Sequence, residues 1–210
     1  MSRRRAKSLG INNYQLPIGN SLEAIDALDK ALILAWHQGW HPETLDGILP
    51  WWRDQDNWIP VYIALIAWLI WKQRLKGLYL ALVAGAVVGL SNTVSAEIIK
   101  PLVGRIRPCN TEGLLEKLDL LTGCGPGLAF PSAHAANHFA LAVFLGLTCF
   151  AERPLWKWLG FAWALIISLA QVYVGRHYFS DIIAGAAIGT IIAMLGVWVA
   201  RRFDLWPKTV

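Results

Sequence analysis

The sequence predicts an all-α fold: a polytopic membrane helical bundle of five to six transmembrane helices with an N-terminal amphipathic helix. Three observations carry this expectation. The chain has 210 residues, 56% of them hydrophobic, and a mean hydropathy of +0.44, too apolar for an ordinary soluble domain. Twelve Trp residues point the same way, because Trp concentrates where hydrocarbon meets headgroups. Five apolar segments follow one another at 58–71, 78–98, 134–150, 155–174 and 182–200. A helix needs about 20 residues to cross the hydrocarbon, so the first segment requires Trp58 and Trp71 as interfacial anchors.

Taken in order, residues 1–19 read as a basic tail. Arg3, Arg4 and Arg5 precede Gly10, Asn12 and Asn13 and not an apolar stretch, so no secretory signal is expected. Residues 20–56 read as an interfacial region. Asn20 and Glu23 form a capping pair, and Leu22, Ile25, Leu28, Leu32 and Trp36 recur at helical spacing. Glu23, Asp26, Asp29 and Lys30 give that helix too many charges to span comfortably, which favours an amphipathic helix lying on the membrane. Pro42, Pro50, Trp51, Trp52, Arg53 and Asp54 suggest a loop with a short helical turn at headgroup depth. Residues 57–202 form the transmembrane domain and 203–210 a C-terminal tail.

Three basic clusters fall between or after the spans: Lys72, Arg74 and Lys76; Arg153 and Lys157; Arg201 and Arg202. Alternation puts all three on one side, which the positive-inside rule assigns to the cytoplasm. The loop between the second and third spans and the turn at 175–180 then face outward. Five spans leave the Arg-rich N-terminus outside; a sixth crossing over 21–40 would reverse this and stands as the alternative. The net charge of +5 is accounted for by these loops, so nucleic acid is not an expected partner.

Cys149 lies inside an apolar run and reads as a packing residue. Cys109 and Cys124 bracket one polar loop. A bridge there would stabilise by about 3 kcal/mol in the chain-entropy model; two free thiols are the alternative.

Three segments carry chemistry. Lys100, Arg105 and Arg107 follow the second span; Lys offers a point charge and Arg a fork that grips two phosphate oxygens. Pro131, Ser132, Ala133 and His134 open the third span, where free backbone N–H groups and the helix dipole welcome an anion. His177 and Asp181 open the fifth, four residues apart and so on one helix face. A carboxylate on one imidazole nitrogen leaves the other free to attack. Taken singly, each has a plainer reading as a snorkelling cation, a hydrogen-bonded imidazole or a common helix spacing. A metal site built from His134, His138, His177 and Asp181 is the rival, but a cationic pocket favours an oxyanion. No metal and no cofactor are therefore expected. His138 reads as a packing residue, and His37 and His41 receive no role.

Together these segments resemble the type-2 phosphatidic acid phosphatase family, whose pattern is Lys-x6-Arg-Pro, Pro-Ser-Gly-His and Ser-Arg-x5-His-x3-Asp. Lys100 through Arg107-Pro108 matches the first motif. Pro131-Ser132-Ala133-His134 matches the second, with Ala for Gly. His177 and Asp181 match the third, with Ala170-Gln171 where Ser-Arg is usual. The likeness runs over roughly residues 57–200. It implies that Lys100, Arg107, Ser132 and the Ala133 backbone N–H hold a phosphate, with Gln171 and Arg176 as further candidate contacts. It also implies that His177 is the nucleophile, that Asp181 orients it and that His134 protonates the leaving oxygen, without metal. The expected enzyme is a lipid phosphate phosphatase of the cytoplasmic membrane acting on the outer face. By analogy its substrate is a polyprenyl diphosphate, with phosphatidic acid, phosphatidylglycerol phosphate and lipid A phosphates also open. The alternatives are a non-catalytic lipid-phosphate binder or transporter, and a lipid phosphotransferase.

Overall fold

The computed structural model describes residues 17–205; 1–16 of the expected basic tail and 206–210 of the C-terminal tail lie outside them. Apolar periodicity becomes helix along most of this chain, and among the described residues no β-strand forms. The helices are α1 (Pro17–Gly39), α2 (Leu49–Trp52), α3 (Ile59–Gln73), α4 (Leu75–Asn92), α5 (Lys100–Val103), α6 (Ala133–Leu147), α7 (Pro154–Tyr173) and α8 (Phe179–Arg202). A π-helical stretch, Thr93–Ile99, joins α4 to α5. Pro101 supplies a cause: its ring clashes with the carbonyl one turn back and widens the helix there. Gly104, with φ of 67°, ends α5 in the left-handed conformation that side chains resist.

Among the described residues, three helices are long and apolar enough to cross a membrane: Leu75–Val103, Pro154–Tyr173 and Phe179–Arg202. α3 and α6 have 15 residues each, a rise of about 22 Å against about 30 Å of hydrocarbon.

α6 is the central helix and packs most extensively on α8, then on α7 and α4. Leu80, Val87, Ala140, Phe144, Ala193 and Val197 belong to its core. The contact with α8 is close because glycines face it. A Cβ on Gly185 would lie 2.3 Å from the Ser132 carbonyl oxygen, and one on Gly189 2.0 Å from that of Ala136. Small residues let helix backbones approach in this way. The outer face of α8 shows Ile183, Ile191, Leu195 and Trp198, as expected of a surface that meets lipid.

In α1, residues 17–20 are already helical, ahead of the expected cap at Asn20. Its apolar stripe points away from the protein: Leu22, Ile25, Leu28 and Leu32 are exposed, while Asp29, Ile33 and His37 are buried. The polar face turns inward because partners wait there. Asp29 Oδ1 accepts from the Ser180 backbone N–H at 3.0 Å, and His37 Nε2 lies 3.2 Å from the Val172 carbonyl.

Candidate active site

The N-termini of α6 and α8 meet where the Ser132 N–H donates to the Asp181 carbonyl oxygen at 3.0 Å. Just before α8, His177 is buried, and its Nδ1 lies 3.4 Å from Asp181 Oδ2. That is ion-pair distance without an aligned hydrogen bond. Asp181 is fully buried and held from two sides. Oδ2 accepts from the Tyr178 N–H at 2.8 Å, and Oδ1 accepts from Arg105 Nη1 at 2.7 Å. Burial pushes His177 below the usual histidine range, Lys100 and Arg107 act in the same direction, and Asp181 opposes them. The imidazole is thereby favoured in its neutral form, with Nδ1 turned to the carboxylate and Nε2 remaining for chemistry.

The cations are aimed by backbone carbonyls of the loop before α6. Lys100 Nζ donates to the Leu128 oxygen at 3.0 Å, and Arg107 Nη1 to that of Cys124 at 2.7 Å. Arg176 donates through Nε and Nη2 to Gly123. Cys109 and Cys124 form a disulfide that pins this loop beside Arg107. Burial and the nearby Arg176 both lower the Arg107 guanidinium. Like charges crowded in a half-buried space make a site that an anion relieves.

On the α6 side, the Ser132 side chain caps the helix by accepting from the Ala135 N–H at 3.4 Å. Ala133 is the first residue of α6, where N–H groups lack intrahelical partners. His134 lies within electrostatic range of His177. One turn on, His138 has both nitrogens engaged: Nδ1 lies 2.7 Å from the His134 carbonyl and Nε2 3.2 Å from the Tyr62 hydroxyl. It also lines an apolar cleft of about 430 Å³ with Tyr62, Leu65, Leu69, Ala84 and Leu141. The rival metal set is not assembled. Among the described residues, the ligand atoms close enough to share an ion belong to His37, His41 and Asp119.

The PAP2 superfamily pattern matches residues 78–204, which contain every one of these motif residues. The chain belongs to the PAP2 superfamily. It is thus a membrane protein of a lipid phosphatase family. It is 31% identical over 190 residues to a lipid A 4'-phosphatase of Bacteroides thetaiotaomicron, covering 86% of this chain and 80% of that one. It is 34% identical over 143 residues to an undecaprenyl-diphosphatase of Sulfolobus acidocaldarius, covering 68% of this chain and 63% of the relative. The fold matches a crystal structure of a transmembrane PAP2-type phosphatidylglycerolphosphate phosphatase from Bacillus subtilis. The TM-score is 0.65 at 18% identity, covering 89% of this chain and 92% of that one.

The PAP2 motifs do not contain everything that holds the site. Arg105 joins three elements: besides Asp181 it donates to Ser180 Oγ at 2.7 Å, to Asp26 Oδ1 at 3.0 Å and to Asp29 Oδ2 at 2.8 Å. Its guanidinium also stacks 4.1 Å over the Tyr178 ring. The sequence showed Arg105 as one cation of a basic run, outside the motif that ends at Arg107-Pro108, and nothing local marked its partners. Gln171 is fully buried, and its Oε1 accepts from Arg53 Nε at 3.2 Å. Arg53, read from the sequence as part of a headgroup-level loop, is 8% exposed.

Proposed function

We propose that this protein hydrolyses a lipid-linked phosphate through a phosphohistidine on His177, without metal, at the outer face of the cytoplasmic membrane. The observation that carries the reading is the buried His177–Asp181 pair held within reach of Lys100 and Arg107 charge. His177 Nε2 attacks phosphorus as the ester or anhydride P–O bond breaks. His134 gives its proton to the departing oxygen, then takes one from the water that cleaves the P–N bond. Inorganic phosphate leaves and both imidazoles return to their starting states. Lys100, Arg107, Ser132 and the free N–H groups of α6 counter the charge on the phosphoryl oxygens, the work a metal ion does elsewhere. The basic clusters at 72–76, 153–157 and 201–202 support the outward orientation.

For substrate we favour a phosphate monoester on a glycolipid of the lipid A kind. Support comes from two relatives named lipid A 4'-phosphatase that cover 86% and 81% of this chain. A polyprenyl diphosphate is the second reading, favoured by the Sulfolobus relative. The apolar cleft at His138 suits the hydrocarbon part of either. The test is phosphate release by purified protein in detergent with chelator present, over a panel of both lipids, phosphatidic acid and phosphatidylglycerol phosphate. Release that survives chelator, stops with vanadate and vanishes in His177→Ala supports the mechanism. Release lost to chelator, or retained in His177→Ala, contradicts it. Phosphate passed to a second lipid would mark a transferase, and vanadate binding without release from any lipid a binder.

A further inference from the structure

Position 171 is where the family pattern expects arginine, and this chain has Gln there. The gap has a neighbour. Arg53, at the end of α2 and 118 residues away in sequence, donates its Nε–H to Gln171 Oε1. Arg53 is 8% exposed, and among the described residues no carboxylate lies within ion-pair distance of it. A buried guanidinium that Asp54 favours only from beyond ion-pair distance is costly unless an anion visits. The only bond its guanidinium makes among the described residues uses Nε, leaving both terminal amino groups as donors. Gln171 Nε2 is likewise buried and unpartnered, so a second donor waits at the same place. Arg53 lies within electrostatic range of Arg107, Arg176 and His134, groups of the candidate phosphate site.

We infer that Arg53 binds the substrate phosphate with the guanidinium that the family motif would place at position 171, and that Gln171 positions it by accepting its Nε–H. Gln171 is then the seat for a cation delivered from another element. The fork keeps two parallel N–H donors for phosphate oxygens while its third site is fixed. This rests on the phosphatase reading above and adds a residue to the same site.

The test is vanadate binding, read as the vanadate-induced shift in melting temperature of the purified protein in detergent, so that it does not depend on turnover. Arg53→Gln is expected to weaken vanadate by on the order of tenfold, and kcat/KM on the best lipid of the panel by on the order of 100-fold, the usual effect of losing one charge-stabilising donor. The exchange Arg53→Gln with Gln171→Arg moves the guanidinium to the family position and is expected to recover about tenfold of that loss. A merely structural Arg53 would lower melting temperature without moving vanadate affinity. Vanadate affinity within threefold of the starting protein, or an exchange variant no better than Arg53→Gln, would overturn the inference. If Arg53→Gln does not fold, Arg53→Lys is titrated in its place with the same threefold criterion. Failure of the phosphatase reading is seen separately, as no phosphate release from any lipid by the unaltered protein.

Discussion

His177 sits between opposing influences: burial and the Lys100 and Arg107 charges favour the neutral ring, and Asp181 favours the charged one. Burial is the largest, so the folded pKa lies below 6.5. Only neutral imidazole attacks phosphorus. Activity is therefore retained as pH falls through 6.5 and lost below it, where the ring gains its proton. The acid limb of the kcat/KM profile is expected to have its midpoint below pH 6.5. Asp181→Asn removes the group that raises this pKa, so the limb should move lower still while the maximum rate drops by on the order of 100-fold or more. An acid limb centred above pH 7 would contradict the neutral nucleophile. Arg105 acts differently, through the carboxylates it satisfies. Asp29 and Asp181 are both buried, and Arg105→Ala strands them. The expected loss is about 3–5 kcal/mol, read as a large fall in melting temperature with Arg105→Lys intermediate. The His177–Asp181 pair was legible because its members are four residues apart, although His177 lies before the first turn of α8 and not on the helix face that the spacing suggested. The roles of Arg105 and Arg53 were not, because their partners lie 76 and 118 residues away.

Between elements, the contact that matters most is α6 on α8, since it brings the Ser132–His134 end against the His177–Asp181 end. Gly189 lies two turns from Asp181, yet a Cβ there would meet backbone at 2.0 Å, so the helices must part. Gly189→Ala is expected to cost about 1–3 kcal/mol by overpacking. It should also lower kcat/KM by about 100-fold if the helix ends shift by about 1 Å. Unchanged melting and turnover would show that the close approach is not needed. Helix positions were readable from apolar periodicity, and α7 and α8 lie within a few residues of expectation. The face that α1 turns inward was not readable. In water an apolar stripe seeks the core; here the stripe is exposed, and Asp29 and His37 take the inner side.

At the scale of the whole molecule, the end of the bundle that carries His177 is assembled from distant parts. The carbonyls at 123, 124 and 128 aim Arg176, Arg107 and Lys100, and the Cys109–Cys124 disulfide ties their loop to the segment carrying Arg107. Replacing both cysteines by Ser is expected to destabilise by about 3 kcal/mol and to weaken vanadate binding severalfold, checked by thermal melting with and without reductant. A double variant as stable and as tight as the unaltered protein would mean that the loop holds its shape alone. The cysteine pair was visible in the sequence as a bracket around a polar loop. The carbonyl platform inside that loop was not, because backbone oxygens leave no trace in residue identity. The central claim is that phosphorus passes through His177. It is tested most directly by quenching a single turnover with phosphorus-labelled lipid, in chelator, and mapping the acid-labile label. The expected result is label on the peptide containing His177, absent in His177→Ala. Turnover of the lipid with no label trapped on His177 at any quench time would contradict it.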